Sequence, residues 1–96
     1  FRLFKENTPG TRKLLRWYHP GKGDHYYSSD PNAKALQGYI PEGSIGNIAT
    51  SKLPGTRELY RWRHGVTGLH VYTLDGTGEG YAKKGYKLDA IVGFVR

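Results

Sequence analysis

Four histidines are spaced so that their rings can do chemistry. His19 and His25 flank one short glycine-bearing segment, and His64 and His70 flank another. If each segment is the turn of a β-hairpin, each pair faces across the neck with Cβ atoms roughly 4.5 to 5.5 Å apart when directly opposite. That spacing suits a shared metal ion or an acid/base pair. Two histidines alone hold a metal weakly, however, and the adjacent carboxylate, Asp24, accompanies one pair and not the other. No metal site and no cofactor are therefore assigned. The favoured role is hydrogen bonding within the fold, with a ring nitrogen of His25 or His70 tied to backbone or to Asp30 or Asp75. The Gly-x-Ser-x-Gly elbow, the P-loop and His-Glu-x-x-His are all missing. One enzyme class passes this screen, a metal-independent ribonuclease in which His19 and His25 move protons while Arg16 and Lys22 hold the phosphate.

The aromatic residues offer a different chemistry. Eight Tyr, two Trp and three Phe are many for 96 residues, and flat rings with a polar tip suit sugar faces or stacked bases. Trp17 and Trp62, like Tyr27 and Tyr72, recur at one fixed offset, which is what a repeated core requires of its fillers. Tyr18, Tyr26 and Tyr81 have no aromatic counterpart, so they are the candidates for an exposed binding face. With His25, Asp24, Arg63 and His70 they make up the candidate ligand-binding set.

The elements that must position these residues come in two copies. Pro9-Gly10-Thr11-Arg12 returns 45 residues later as Pro54-Gly55-Thr56-Arg57. Leu14, Arg16, Trp17, His19, Gly23, His25, Tyr27 and Asp30 fall at the same offset on Leu59, Arg61, Trp62, His64, Gly68, His70, Tyr72 and Asp75. After a two-residue insertion, Gly38-Tyr39 and Gly46 meet Gly85-Tyr86 and Gly93. A period of this length marks one supersecondary unit that cannot bury its apolar face alone and packs on its copy. The chain thus reads as a single domain, 1–96, with internal repeats at about 9–50 and 54–96.

Each copy has the pattern of a hairpin and a third strand. Leu14 to Tyr18 and His25 to Ser29 read as strands about a turn at Pro20 to Asp24. Leu59 to Arg63 and His70 to Leu74 do the same about Gly65 to Leu69. Third strands follow at Ser44 to Ala49 and Ile91 to Val95. A short helix fits Pro31 to Gln37, with Asp30 as N-cap and Gly38 beyond its end, whereas Gly76 to Gly80 is too glycine-rich for one. The expected class is all-β with one short helix possible, a pseudo-two-fold repeat of three-stranded units in a small closed or sandwich-like sheet. Gly46 and Gly93, repeated inside third strands, imply a large ring such as Trp17 or Trp62 over bare backbone, or a bulge. The alignment also places Phe1 to Phe4 opposite Gly46 to Ala49, so the two terminal segments are expected to lie together.

Composition bounds the partners. Fifteen Lys and Arg against eight Asp and Glu give a net charge of +7, which favours acidic polymers such as RNA, though no basic run exceeds two residues. Absence of cysteine removes disulfides, thiolate nucleophiles and cysteine-ligated zinc. No apolar run approaches the roughly 18 to 20 residues that span a bilayer, so no transmembrane segment is expected. The amino terminus lacks the apolar stretch of a signal peptide, and the missing initiator Met is read as a processed chain.

The motifs Leu14-Leu15-Arg16-Trp17, Gly23-Asp24-His25-Tyr26-Tyr27-Ser28-Ser29-Asp30, Gly38-Tyr39 and Glu42-Gly43-Ser44-Ile45-Gly46, with their second-copy counterparts, resemble a family of secreted repeat domains of unknown function. Its units read Leu-Tyr-Arg-Trp/Tyr, Gly-Asp-His-Phe-Tyr-Thr-Thr-Asp, Gly-Tyr and Glu-Gly-Ile-x-Gly-Tyr. Leu69 in place of the Asp, and Asp89-Ala90 in place of Glu-Gly, depart from that pattern in the second unit. The resemblance implies an extracellular binding accessory, often attached to secreted hydrolases, and brings no established catalytic residues. The function expected from the whole is a secreted, non-enzymatic, lectin-like module that recognises carbohydrate polymer or glycan on a cell wall or cell surface. Two equivalent shallow sites would act together on such a polymer. The alternatives are a small basic cytotoxic protein acting on RNA or membranes, and a structural or protein-binding repeat.

Overall fold

The computed structural model describes residues 1–30 and 36–96. Its strands are β1 (Thr11–His19), β2 (Asp24–Ser28), β3 (Ile40–Ala49), β4 (Arg57–His64), β5 (His70–Thr73) and β6 (Tyr86–Val95). They form one curled antiparallel sheet in the order β2-β1-β3-β6-β4-β5. Read from either edge, that order is hairpin strand, hairpin strand, third strand, so the two repeats meet along their third strands. The helix expected at Pro31 to Gln37 falls largely on residues 31–35, outside the described residues. A 3-10 helix does form at Gly78–Lys84, where glycine content argued against one, and Gly85 in the left-handed region at φ 94° ends it. No helix among the described residues is long and apolar enough to cross a membrane.

Local chemistry accounts for the units. Thr11 and Thr56 each close a Pro-Gly turn, with the hydroxyl donating to the carbonyl of Thr8 or Leu53 at 2.6 Å. Gly10 and Gly55 both sit at φ 76°, the second central position of a type II turn, which proline prepares and glycine completes. In the strands that follow, Leu14 and Leu59 alternate with Arg16 and Arg61, so apolar and charged residues share a face in each copy. Leu14, Ile48, Leu59, Val92 and Val95 form the core, with Leu3, Tyr27, Tyr72 and Leu74 packed on it. Trp17 and Trp62 are buried at equivalent strand positions, as the repeat requires.

The third strands begin earlier than expected, at Ile40 and Tyr86, and each carries an extra residue twice. Against β1, β3 slips between the pairs Lys13–Asn47 and Leu15–Ser44 and again between Arg16–Gly43 and Trp17–Pro41. Against β4, β6 slips between Leu59–Gly93 and Tyr60–Ile91 and again between Arg61–Ala90 and Trp62–Leu88. The repeated glycines mark the first bulge, so that half of the expectation holds and the overlying tryptophan does not. A Cβ on Gly46, at φ 142°, would meet the Leu3 side chain at 2.9 Å, and one on Gly93 would meet the Ala49 carbonyl oxygen at 2.8 Å. Gly93 therefore lets β6 approach β3 at the seam, where Ala49 pairs with Phe94. Beyond that pair the seam opens and the chain's first residues enter it. Phe4 exchanges backbone hydrogen bonds with Asn47 at 2.8 and 3.0 Å, and Arg2 with Arg96 at 2.7 and 3.0 Å. The terminal segments thus cover each other's edges.

Candidate functional site

The histidines do not face one another. In β1–β2, Tyr18 stands opposite His25 and His19 opposite Asp24, because the turn holds four residues rather than five. His19 and His25 consequently lie on opposite faces of the sheet, since one residue of register exchanges the faces. The second hairpin repeats this, with Arg63 opposite His70. The quartet His19, His25, Arg16 and Lys22 is accordingly not assembled about one point.

His19 and His64 are parts of their turns. The Lys22 N–H donates to His19 Nδ1 at 3.0 Å, and the Val66 and Thr67 N–H groups donate to His64 Nδ1, both at 3.1 Å. With Nδ1 accepting, the His64 proton resides on Nε2, which donates to the Lys84 carbonyl at 3.0 Å. Each ring lies edge-on to the tyrosine of its Gly-Tyr pair, His19 on Tyr39 at 5.1 Å and His64 on Tyr86 at 5.0 Å. The glycine gives the ring room, for a Cβ on Gly38 or Gly85 would stand 2.6 or 2.8 Å from Nε2.

His25 and His70 diverge sharply despite equivalent positions. The His70 side chain is 3 % exposed and that of His25 is 45 % exposed. The cause is Asp24, which reaches across from the first repeat and is itself buried. Its carboxylate accepts from the His70 backbone N–H and from His70 Nδ1, both at 2.7 Å, and from the Tyr39 hydroxyl at 2.5 Å. Burial, then this bond to Asp24, pushes the Tyr39 phenol well above its ordinary range. At the equivalent position the second repeat has Leu69, which offers His25 no acceptor. His25 instead lies against Tyr18 at 4.6 Å, with Nε2 3.7 Å from Glu42 Oε1.

The second bulge in each third strand aims a carboxylate at the neighbouring arginine. Glu42 and Asp89 are the extra residues, and they pair with Arg16 at 2.9 Å and Arg61 at 2.7 Å. Arg61 also donates to the Tyr27 carbonyl at 3.1 Å and lies 4.6 Å over the Tyr26 ring.

Between the repeats runs a groove of about 460 Å³. Leu14, Leu59, Tyr27 and Tyr72 line it as two repeat-related pairs, so it straddles the pseudo-two-fold axis. The two tyrosine rings meet edge to face at 4.9 Å, and the Tyr27 N–H donates to the Tyr72 hydroxyl at 2.8 Å. Burial raises the Tyr72 phenol's pKa, so it stays a neutral polar tip. Phe1, Ile45, His70 and Tyr81 also line it. His25, stacked 6.2 Å from Tyr27, brings Tyr18 and the Arg16–Glu42 pair to the groove's neighbourhood.

Of the candidate ligand set, His70 and Tyr81 line this groove. Tyr18 and His25 form the polar cluster beside Tyr27, Arg63 stands opposite His70, and Asp24 is buried behind it. Tyr26 lines a separate polar cleft of about 370 Å³ with Ser29 and Arg61. Sequence reasoning assigned Tyr27 and Tyr72 to packing alone, and they both pack and line the groove. Their matched positions were the available signal, since a ring repeated at a pseudo-axis meets its own copy there.

No curated protein and no solved structure matches the chain. A family model does match it over residues 1–96, and the chain belongs to that family, described as Domain of unknown function (DUF5648).

Proposed function

We propose that this domain is an extracellular carbohydrate-binding module whose ligand lies in the groove between the repeats. The observation that carries the reading is the groove itself, about 460 Å³ and lined by Tyr27, Tyr72 and Tyr81 from both copies. Its volume suits one or two sugar rings, and tyrosines present apolar faces to sugar C–H groups with a hydroxyl at the rim. The Arg16–Glu42 pair and His25 supply donors and acceptors nearby. One shared site replaces two equivalent ones, because Asp24 makes the surroundings of His25 and His70 unequal. The resemblance of the repeat motifs to secreted domains of unknown function supports an extracellular setting and a binding role.

The test is a glycan array followed by polysaccharide retention with the parent and Tyr81→Ala, folding of both being checked by circular dichroism. The parent should retain at least one polysaccharide, and Tyr81→Ala should weaken it by about tenfold, the loss of one ring contact. Failure of the parent to retain any glycan, or equal retention by the variant, overturns the reading. Cleavage of purified RNA that vanishes in His25→Ala would put a ribonuclease in its place.

A further inference from the structure

Two cations from different repeats converge on one glycine. A Cβ on Gly68 would stand 3.2 Å from Lys22 Nζ and 3.5 Å from Arg63 Nη2. Gly68 lies in the β4–β5 turn at φ 74° and is buried, whereas Lys22 belongs to the β1–β2 turn. The curl of the sheet thus brings Lys22, at the tip of the first hairpin, to Arg63 and the bare Gly68 backbone of the second. Like charges this near repel each other, and neither cation enters an ion pair among the described residues. The carboxylate nearest in sequence, Asp24, already serves His70 and Tyr39. Glycine keeps the gap open, since any other side chain would enter it.

We infer that Lys22 and Arg63 form an oxyanion seat that takes the carboxylate or sulfate of an acidic saccharide. The proposal rests on the carbohydrate reading of the groove and names the ligand's class. Location supports the link: Arg63 stands opposite His70 on β5, and His70 lines the groove. A saccharide in the groove thereby extends an acidic substituent toward a pair of donors, where charge-assisted hydrogen bonds are about twice as strong as neutral ones. The Arg16 guanidinium, beside His25, is already paired with Glu42 at 2.9 Å.

The experiment compares galacturonate oligomers with galactose oligomers of equal length, which differ by the carboxylate, on the parent, Lys22→Met and Arg63→Gln. The parent should bind the acidic oligomer about tenfold tighter at low salt, the value of one added ionic contact. That preference should shrink in both variants and with added salt. Equal binding of the two oligomers by the parent overturns the seat and leaves the groove reading standing. If the parent binds neither oligomer, the groove reading fails for these sugars, and inorganic sulfate followed through the Gly68 amide resonance decides the seat by itself. A sulfate-induced shift that is absent from both variants upholds the seat, and no shift in the parent overturns it. An RNA oligonucleotide bound more tightly than galacturonate, with the same dependence on Lys22 and Arg63, overturns the saccharide assignment.

Discussion

Replacing Asp24 by Ala should destabilise the domain more than any other single truncation of a polar side chain. In the native structure the buried carboxylate accepts three hydrogen bonds, two from His70 and one from Tyr39. Alanine leaves the His70 backbone N–H, the His70 Nδ1–H and the Tyr39 hydroxyl without their acceptor, at about 1 to 3 kcal/mol for each orphaned group. Because the donors share one acceptor and partly relax together, the costs do not simply add, and the expected loss is about 3 to 5 kcal/mol. Against a total of roughly 5 to 15 kcal/mol for a domain, the midpoint of thermal unfolding should fall by about 15 °C or more. Urea denaturation followed by circular dichroism gives the free energy directly, and a cycle with His70→Ala should show coupling of about 1 to 3 kcal/mol. Leu69→Ala, at the equivalent place in the second repeat, removes only partly buried aliphatic surface and should cost about 1 to 2 kcal/mol. An Asp24→Ala protein within about 1 kcal/mol of the parent would refute the claim that this carboxylate ties the repeats together.

Other measurements bear on the same architecture. Gly46→Val should cost about 1 to 3 kcal/mol, because φ 142° disfavours a β-branched residue and the new Cβ meets Leu3 at 2.9 Å; a thermal melt as high as the parent's would show that the glycine is merely tolerated. Gly93→Ala sets a methyl 2.8 Å from the Ala49 carbonyl oxygen, and its lost stability should accompany faster hydrogen exchange at the β3–β6 seam. Arg61→Ala should cost about 2 to 3 kcal/mol, since it removes the Asp89 pair, the Tyr27 bond and the Tyr26 ring contact together, whereas Arg16→Ala, whose pair is more exposed, should cost below about 1 kcal/mol. At high pH, the phenols of Tyr39 and Tyr72 remain protonated in the fold while an unfolded chain ionises near 10.0. Their contribution is complete below that value and is lost as pH rises above it, so phenolate absorbance should show two tyrosines ionising only as the domain unfolds.

The sequence by itself determined the units. Pro-Gly turns, strand-like alternation and a fixed 45-residue offset are local or periodic, so they were sufficient to place two copies of three strands with Trp17 and Trp62 in equivalent burial. The repeated Gly46 and Gly93 pointed to either a bulge or an overlying ring, and the register shifts show the bulge. What the sequence left open turns on register and on contacts between the copies. A turn of four rather than five residues exchanges the faces of a strand, and that one-residue difference separates His19 from His25 and pairs His25 with Tyr18. Which ring a repeated tyrosine meets, and which histidine a lone Asp24 reaches, follow from how far the six-stranded sheet curls. Curl sums small twists and bulges over every strand, so only the tertiary structure decided that Asp24 crosses to His70, 46 residues away, that Tyr27 meets Tyr72, and that Lys22 and Arg63 close over Gly68.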